Sequence, residues 1–350
     1  MNKKFILIFM IIVLVIPLSS CKDNKKQSLN VYNYGDYIDM DIVKEFEEEF
    51  NVKVNYNTYA TNEDMYIALK KGGTSYDLAF PSDYMIERMI KEDLLEKIDK
   101  NIVTNLKYID EQLLYKEFDP NNDYSVPYFW GTVGIAYNTK YVDEKDVESW
   151  DVLWSEKYKN EIFMLDSQRD SFAVALKKLG YSMNSQDINE LREATEELIK
   201  QKEVIYAYVG DEVKDLMASE EAYIALAWSG DALMMASHNE NIAYKVPKEG
   251  TNLWFDNVVI PKSGKNKKLA NEFINFLNRP EISARNSEYV EYPTANLEGK
   301  KLLSEEMRNS ETAYPSSEVI KNAEIFRDPK DMLKVYNDLW IEIKATRIDK

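Results

Sequence analysis

Leu29-Asn30-Val31-Tyr32-Asn33-Tyr34-Gly35-Asp36-Tyr37-Ile38-Asp39-Met40-Asp41-Ile42-Val43-Lys44-Glu45-Phe46 decides the fold. Leu29–Tyr34 reads as a strand, and Asp39 is placed to cap a helix with Ile42, Val43, Phe46 and Phe50 on one face. The rhythm continues outward. Val52–Thr58 alternates as a second strand. Asn62 opens a helix that runs to Lys71 and stops at Gly72-Gly73. Tyr76–Phe80 reads as a third strand, with a helix after Ser82. Strands alternating with helices predict α/β units on a mostly parallel sheet.

A second block repeats the pattern. Glu161–Leu165, Val204–Tyr208 and Ala222–Trp228 read as strands, followed by helices from Ser171, after Asp211 and from Asp231. Ile242–Val246 and Phe255–Ile260 are further strands, and helices dominate after them. Breaks are expected near Gly131–Gly134 and Gly250–Asn252. No internal repeat is present, and the one low-complexity stretch is the polar tether Lys22–Ser28.

Open α/β sheets bind ligands at the carboxyl ends of their strands. Those ends hold Tyr34-Gly35-Asp36-Tyr37, Pro81-Ser82-Asp83-Tyr84, Asp166-Ser167-Gln168-Arg169-Asp170 and Trp228-Ser229-Gly230-Asp231. Ser82, Ser167 and Asp231 are also what helix caps require. Capping has no use for Tyr37, Tyr84 or Trp228, although a tryptophan in the core is ordinary. Helix N-termini are expected to keep Asp36, Asp83 and Asp231 ionised. Asp256 is expected to begin a strand, so capping does not explain it.

Lys3 and Lys4 precede the apolar run Phe5–Leu18, and small residues lead to Cys21, the sole cysteine in 350 residues. This is the pattern of a secretory leader whose cleavage point carries a thiol. It resembles a bacterial lipoprotein signal, with residues 1–20 removed, a lipid on Cys21 and a tether over residues 21–28. Loss of residues 1–20, with two lysines and no acid, takes the net charge from −17 to −19. One cysteine excludes an internal disulfide. The acidic balance disfavours nucleic acid and is compatible with a cationic ligand. His238 is the only histidine, which removes Ser-His-Asp triads and His-based zinc sites. It is expected at an exposed helix end. No cofactor or metal is called for.

The segment Asp119-Pro120-Asn121-Asn122-Asp123-Tyr124-Ser125-Val126-Pro127-Tyr128-Phe129-Trp130-Gly131 carries a family resemblance. So do Tyr32-Asn33-Tyr34, Pro81-Ser82-Asp83-Tyr84, Leu179-Gly180-Tyr181-Ser182, Asn275–Pro280 and Tyr292-Pro293-Thr294-Ala295-Asn296. In this order and spacing, from about Leu29 onward, the chain resembles the extracytoplasmic spermidine/putrescine-binding proteins of bacterial ABC importers. The resemblance implies a two-lobed, type II periplasmic-binding-protein-like α/β fold. Each lobe has a mixed sheet flanked by helices, and crossing strands act as the hinge. Lobe 1 is expected at 29–133 plus 254–301, and lobe 2 at 134–253 plus 302–350. It further implies a polyamine ligand, permease and ATPase partners, and a monomer tethered through Cys21 at the periplasmic face or cell surface.

The resemblance assigns ligand-binding roles to Tyr34, Tyr37, Ser82 and Tyr84 in lobe 1. In lobe 2 it assigns them to Asp170 and Trp228, and beside the hinge to Trp254, Asp256 and Tyr292. Asp36, Ser167 and Asp231 join them as candidates at strand ends. Spermidine-preferring relatives carry two adjacent acids where this chain has Asp166-Ser167, and diamine-specific relatives share an acid at Asp231, which favours putrescine over spermidine. Two other functions stay open from the residues alone. A binding protein of the same fold for iron(III) or another organic cation would use the abundant tyrosines, although no Tyr-Tyr pair occurs. A surface hydrolase would pair Asp166 with Asp170, or Asp231 with Asp256.

Overall fold

The structure, a computed structural model, describes residues 26–347, so the leader and Cys21 lie outside the described residues. The chain opens with β1 (Ser28–Asn33), α1 (Met40–Phe50), β2 (Lys53–Thr58), α2 (Asn62–Lys71), β3 (Leu78–Ala79), α3 (Asp83–Lys91) and β4 (Leu95–Glu96). The long β5 (Ser125–Asn138) follows. Then come β6 (Ile162–Leu165), α4 (Gln168–Lys178), α5 (Ile188–Gln201), β7 (Ala207–Val209), α6 (Val213–Ala218), β8 (Ile224–Trp228), α7 (Ser229–His238) and β9 (Ile242–Lys245). The chain continues through β10 (Leu253–Pro261), α8 (Lys267–Leu277), α9 (Pro280–Val290) and the short α10 (Leu297–Lys300), α11 (Glu305–Asn309) and α12 (Ser317–Lys321). It ends on α13 (Leu333–Ala345).

The opening rhythm reflects local chemistry. The Asp39 carboxylate accepts from the Asp41 amide at 2.8 Å and starts α1. Ile42, Val43 and Phe46 face inward, where Phe46 meets Phe273 and Phe276 of α8. Gly72 ends α2 in the left-handed region at φ 69°. β1 pairs in parallel with both β2 and β3. His238 is the exposed last residue of α7, as expected.

The strand order is β2-β1-β3-β10-β5-β8-β6-β7. β5 joins its two ends. Ser125–Thr132 pairs antiparallel with β10, and Val133–Tyr137 pairs antiparallel with β8. All fourteen β5 residues are buried. The break between blocks expected near Gly131–Gly134 falls where β5 passes from β10 to β8, within one continuous strand and not in a loop. The glycines serve close approach instead. A Cβ on Gly131 would strike Ser229 Oγ and come within 2.5 Å of the Trp254 ring, and one on Gly134 would come within 2.5 Å of the Tyr244 ring.

Other boundaries shift for physical reasons. The strand expected at Val204–Tyr208 forms at Ala207–Val209, because the Val204 and Ile205 amides bond back to Gln201 and close α5. α4 begins at Gln168, not Ser171, since Ser167 caps it, and α7 begins at Ser229, not Asp231. α6 starts at Val213. Asp256 is the fourth residue of β10, not its beginning, and sits where the β10–β5 register shifts.

The final segment divides its contacts. Tyr336, Leu339 and Ile343 of α13 pack with Phe172, Leu191 and Leu198 of α4 and α5. Tyr314, Ile320, Ala323 and Ile325 pack instead on the cluster holding Leu113 and Phe255.

Candidate functional site

The crossing strands place the centre of the site. Asp256 is buried, and each of its oxygens accepts one hydroxyl. Ser82 Oγ donates to Oδ1 at 2.6 Å, and Tyr37 Oη donates to Oδ2 at 2.7 Å. Burial pushes the Asp256 carboxyl up to about 6, against the pull of those two bonds.

Ser82 is the residue before α3, yet its side chain makes no capping bond. It is clamped by Asn62, whose Oδ1 accepts from the Ser82 amide at 3.0 Å and whose Nδ2 donates to Ser82 Oγ at 3.0 Å. Tyr34, at the carboxyl end of β1, brings its hydroxyl within 3.3 Å of the same Oγ. Capping therefore does not account for Ser82.

Around this carboxylate the rings form a floor. Tyr37 packs edge-to-face on Tyr34 at 5.4 Å, Phe129 at 5.3 Å and Tyr292 at 5.5 Å. Tyr292 meets Trp254 at 5.5 Å. Contacts this short leave no gap between the rings, which form one continuous apolar surface. Burial pushes the Tyr37 and Tyr292 hydroxyls well up, which keeps them protonated donors.

Tyr292 Oη donates at 2.7 Å to Asp231 Oδ1, while Asp231 Oδ2 is buried with no partner among the described residues. Burial raises the Asp231 carboxyl, although the Lys214 charge and the Tyr292 bond oppose it. Asp83 is also raised by burial; it ties α3 to β10 by accepting from the Tyr84 and Phe255 amides. Both stand in the first turn of a helix, and burial raises them there nonetheless.

The other candidates sit further out. Trp228, partly buried, pairs across to Val133 beside the Gly131–Trp254 contact and packs on the same apolar cluster as Tyr37, Trp254 and Tyr292. Tyr84 donates to Glu63 at 3.1 Å. Asp170 is buried, and its carboxylate accepts from Ser167 Oγ at 2.6 Å; burial raises it to about 6. The link from this pair to Tyr84 is Arg169, whose guanidinium lies 5.7 Å from the Tyr84 ring. Asp36 is exposed in the turn after β1, off any helix, with no bond to the cluster. Asp166 pairs with Lys344 at 2.8 Å, while Asp170 is held by the neighbouring Ser167.

In the sequence, Ser229 and Gly230 have only a place in a strand end, and Asn62 has no place in the site. A Cβ on Gly230 would strike the Tyr292 ring, so the glycine lets that ring approach α7. Nothing in the sequence marks Asn62 beyond its place at a helix start.

The family model of bacterial extracellular solute-binding proteins matches residues 41–311. The chain belongs to that family. Like other extracellular solute-binding proteins, it works outside the cytoplasm; no helix among the described residues is long and apolar enough to cross a membrane. The chain is 39% identical over 336 residues to the spermidine/putrescine-binding periplasmic protein of Escherichia coli (strain K12), covering 95% of this chain and 96% of the relative. The solved spermidine/putrescine ABC transporter substrate-binding protein PotD of Streptococcus pneumoniae is 44% identical, with a TM-score of 0.81 over 91% of this chain and 98% of that one. The Tp0655 (TpPotD) lipoprotein of Treponema pallidum is 28% identical, with a TM-score of 0.83 over 91% of this chain and 99% of that one. These matches give the solute-binding fold its periplasmic-binding-protein-like architecture.

Proposed function

We propose that this solute-binding protein captures putrescine or spermidine and delivers it to the permease and ATPase of an ABC importer. The observation that carries the reading is Asp256: a buried carboxylate with one hydroxyl on each oxygen and a floor of aromatic rings beside it. A carboxylate has about four acceptor positions, so two remain for an ammonium. The rings receive the methylenes and attract the cation. Asp231, with its unpartnered Oδ2, is the acceptor for the second end. Charged hydrogen bonds at about 1.5–3 kcal/mol each and cation–π contacts at about 0.5–2 sum to about 8 kcal/mol, near micromolar.

Closure of two lobes around the ligand completes the site, as a shift between open and closed populations. Lobe 1 comprises 29–133 and 254–301, and lobe 2 comprises 134–253 and 302–350. Tyr34, Tyr37, Ser82, Tyr84, Trp228, Trp254 and Tyr292 line the ligand, with Asp36, Ser167 and Asp170 at its margins. The acid at Asp231 and the serine at Ser167 favour putrescine. The chain acts as a monomer without catalysis, tethered through a lipid on Cys21.

Isothermal titration tests the ligand. One-to-one binding of putrescine or spermidine is expected, and Asp256→Asn weakens it at least about tenfold, the cost of one charged bond. No heat with either amine, at protein concentrations well above micromolar, overturns the reading. Iron or another cation in the purified protein favours the alternative ligand.

A further inference from the structure

The two crossing strands have a second face. Trp254, Asp256 and Phe129 look toward the tyrosine floor, and the alternate residues Leu253, Phe255 and Trp130 look the other way. On that far side lies a cavity of about 410 Å³. Its apolar walls are Trp130, Leu253, Leu113, Tyr314 and Ile320. This volume and lining are those of a small-molecule site.

Gln112, Thr294 and Asn296 give the cavity neutral polar groups, and its charged groups are mostly cationic. Lys116 and Lys300 both line it, with Asp110 as the only carboxylate. Among the described residues, neither ammonium meets a carboxylate within 4.0 Å or donates a hydrogen bond. Lys300 instead sits 3.5 Å from the Tyr314 ring centroid, and Lys116 sits 5.5 Å from that of Phe255. The neighbouring Lys301, outside the cavity, has its partner in Glu298 at 2.7 Å. Burial pulls both cavity lysines down, and Asp110 only partly restores them. The cavity thus brings together two part-buried ammoniums that, among the described residues, have no carboxylate within 4.0 Å.

We propose that this cavity binds an organic monocarboxylate with an apolar body, its carboxylate between Lys116 and Lys300 and its hydrocarbon against Trp130 and Leu253. Two ammoniums and Asp110 leave one positive charge, which a single carboxylate neutralises; a dianion would overshoot. The ammoniums would exchange ring faces for charged hydrogen bonds. The site is separate from the polyamine cleft, since the strands that carry Asp256 divide them.

Octanoate, octanol and octylamine are the probes, titrated calorimetrically into the purified protein. Octanoate is expected to bind saturably at one site, with octanol and octylamine at least about tenfold weaker, because only the carboxylate pairs with the lysines. The double variant Lys116→Gln, Lys300→Gln is expected to lose at least about tenfold in octanoate affinity, with its thermal midpoint and putrescine titration kept as checks of folding. Absence of saturable octanoate binding overturns the proposal. So does equal binding of octanol, or a folded double variant that binds octanoate as before. Octanoate binding without putrescine binding supports this proposal and overturns the polyamine reading instead.

Discussion

Asp256 holds a proton up to about pH 6 because burial costs its charged form more than Ser82 and Tyr37 return. An ammonium must meet the ionised form, so binding below that pH displaces a proton. For one group at about 6, affinity at pH 5 is expected to be about tenfold below that at pH 7, with proton release on binding near pH 6. Titrations in buffers of different ionisation enthalpy read both; an affinity flat across this range removes Asp256 from the cation. The stability effect has the opposite sense from an ordinary paired acid. Its folded value lies above the 3.8 of the free side chain, so the native state binds the extra proton between about 4 and 6. Stability from this group is therefore present below about 4 and lost as pH rises through 6, by roughly 3 kcal/mol at one pK unit per 1.36 kcal/mol. Asp256→Asn is expected to make the ligand-free protein more stable to urea at pH 7, with the gain gone at pH 4. An equal or lower stability at pH 7 contradicts this. Tyr37 and Ser82 stand out in the sequence because they follow strand ends, whereas Trp254 and Asp256 are named there only by the resemblance. Asn62 stands out in neither way, because its role exists only once β1, α2 and α3 have converged on Ser82.

At the scale of elements, β5 carries the change from one block to the other, with Ser125–Thr132 on β10 and Val133–Tyr137 on β8. Glycines in a strand resemble punctuation when viewed along the chain. Gly131 and Gly134 instead mark where neighbouring strands and α7 press closest, a fact that belongs to the partners. The β1, α1, β2 and α2 spans are legible because their signals are local: a cap at Asp39, alternation in Val52–Thr58, a left-handed Gly72. Gly131→Ala is expected to displace the Trp254 ring, lowering stability by about 1–3 kcal/mol and weakening polyamine binding severalfold. Gly35→Ala is the control, since a Cβ there meets nothing within 4 Å, and its effect is expected within about 0.5 kcal/mol. Urea denaturation and calorimetric titration of both variants decide it; equal behaviour means β5 tolerates the extra methyl and the close approach is not required.

Across the whole molecule, the strap at residues 326–328 ties parts of the chain that the strand order separates. The Arg327 guanidinium donates to Glu87 of α3 from Nε at 3.1 Å and from Nη2 at 3.0 Å, and the Asp328 amide adds a bond at 3.0 Å. From the same residue, the Arg327 amide donates to Asn184 at 2.8 Å, and its carbonyl accepts from Arg169 of α4 at 3.3 Å. Phe326 packs with Ala173 and Met183. Two α/β blocks are legible from the sequence because each repeats strand and helix, but a strap without regular structure leaves no periodic trace. Burial alone would raise Glu87, yet the bonds from Arg327 and Lys91 hold it at about 2. Being lowered, it stabilises fully above its free value near 4.5 and loses that contribution as pH falls through 2. Glu87→Gln keeps the shape and removes the charge that receives two guanidinium bonds, leaving Arg327 its ion pair with Glu117, at a cost of about 1–3 kcal/mol. If the strap biases the proposed lobes toward one another, this variant populates the open form more. Its apparent polyamine affinity then falls by the loss in competent population. Small-angle scattering should show a larger radius of gyration for ligand-free Glu87→Gln than for the parent, with the two converging at saturating putrescine. Identical radii and affinities would mean that the strap fastens α3 to α4 without any part in closure.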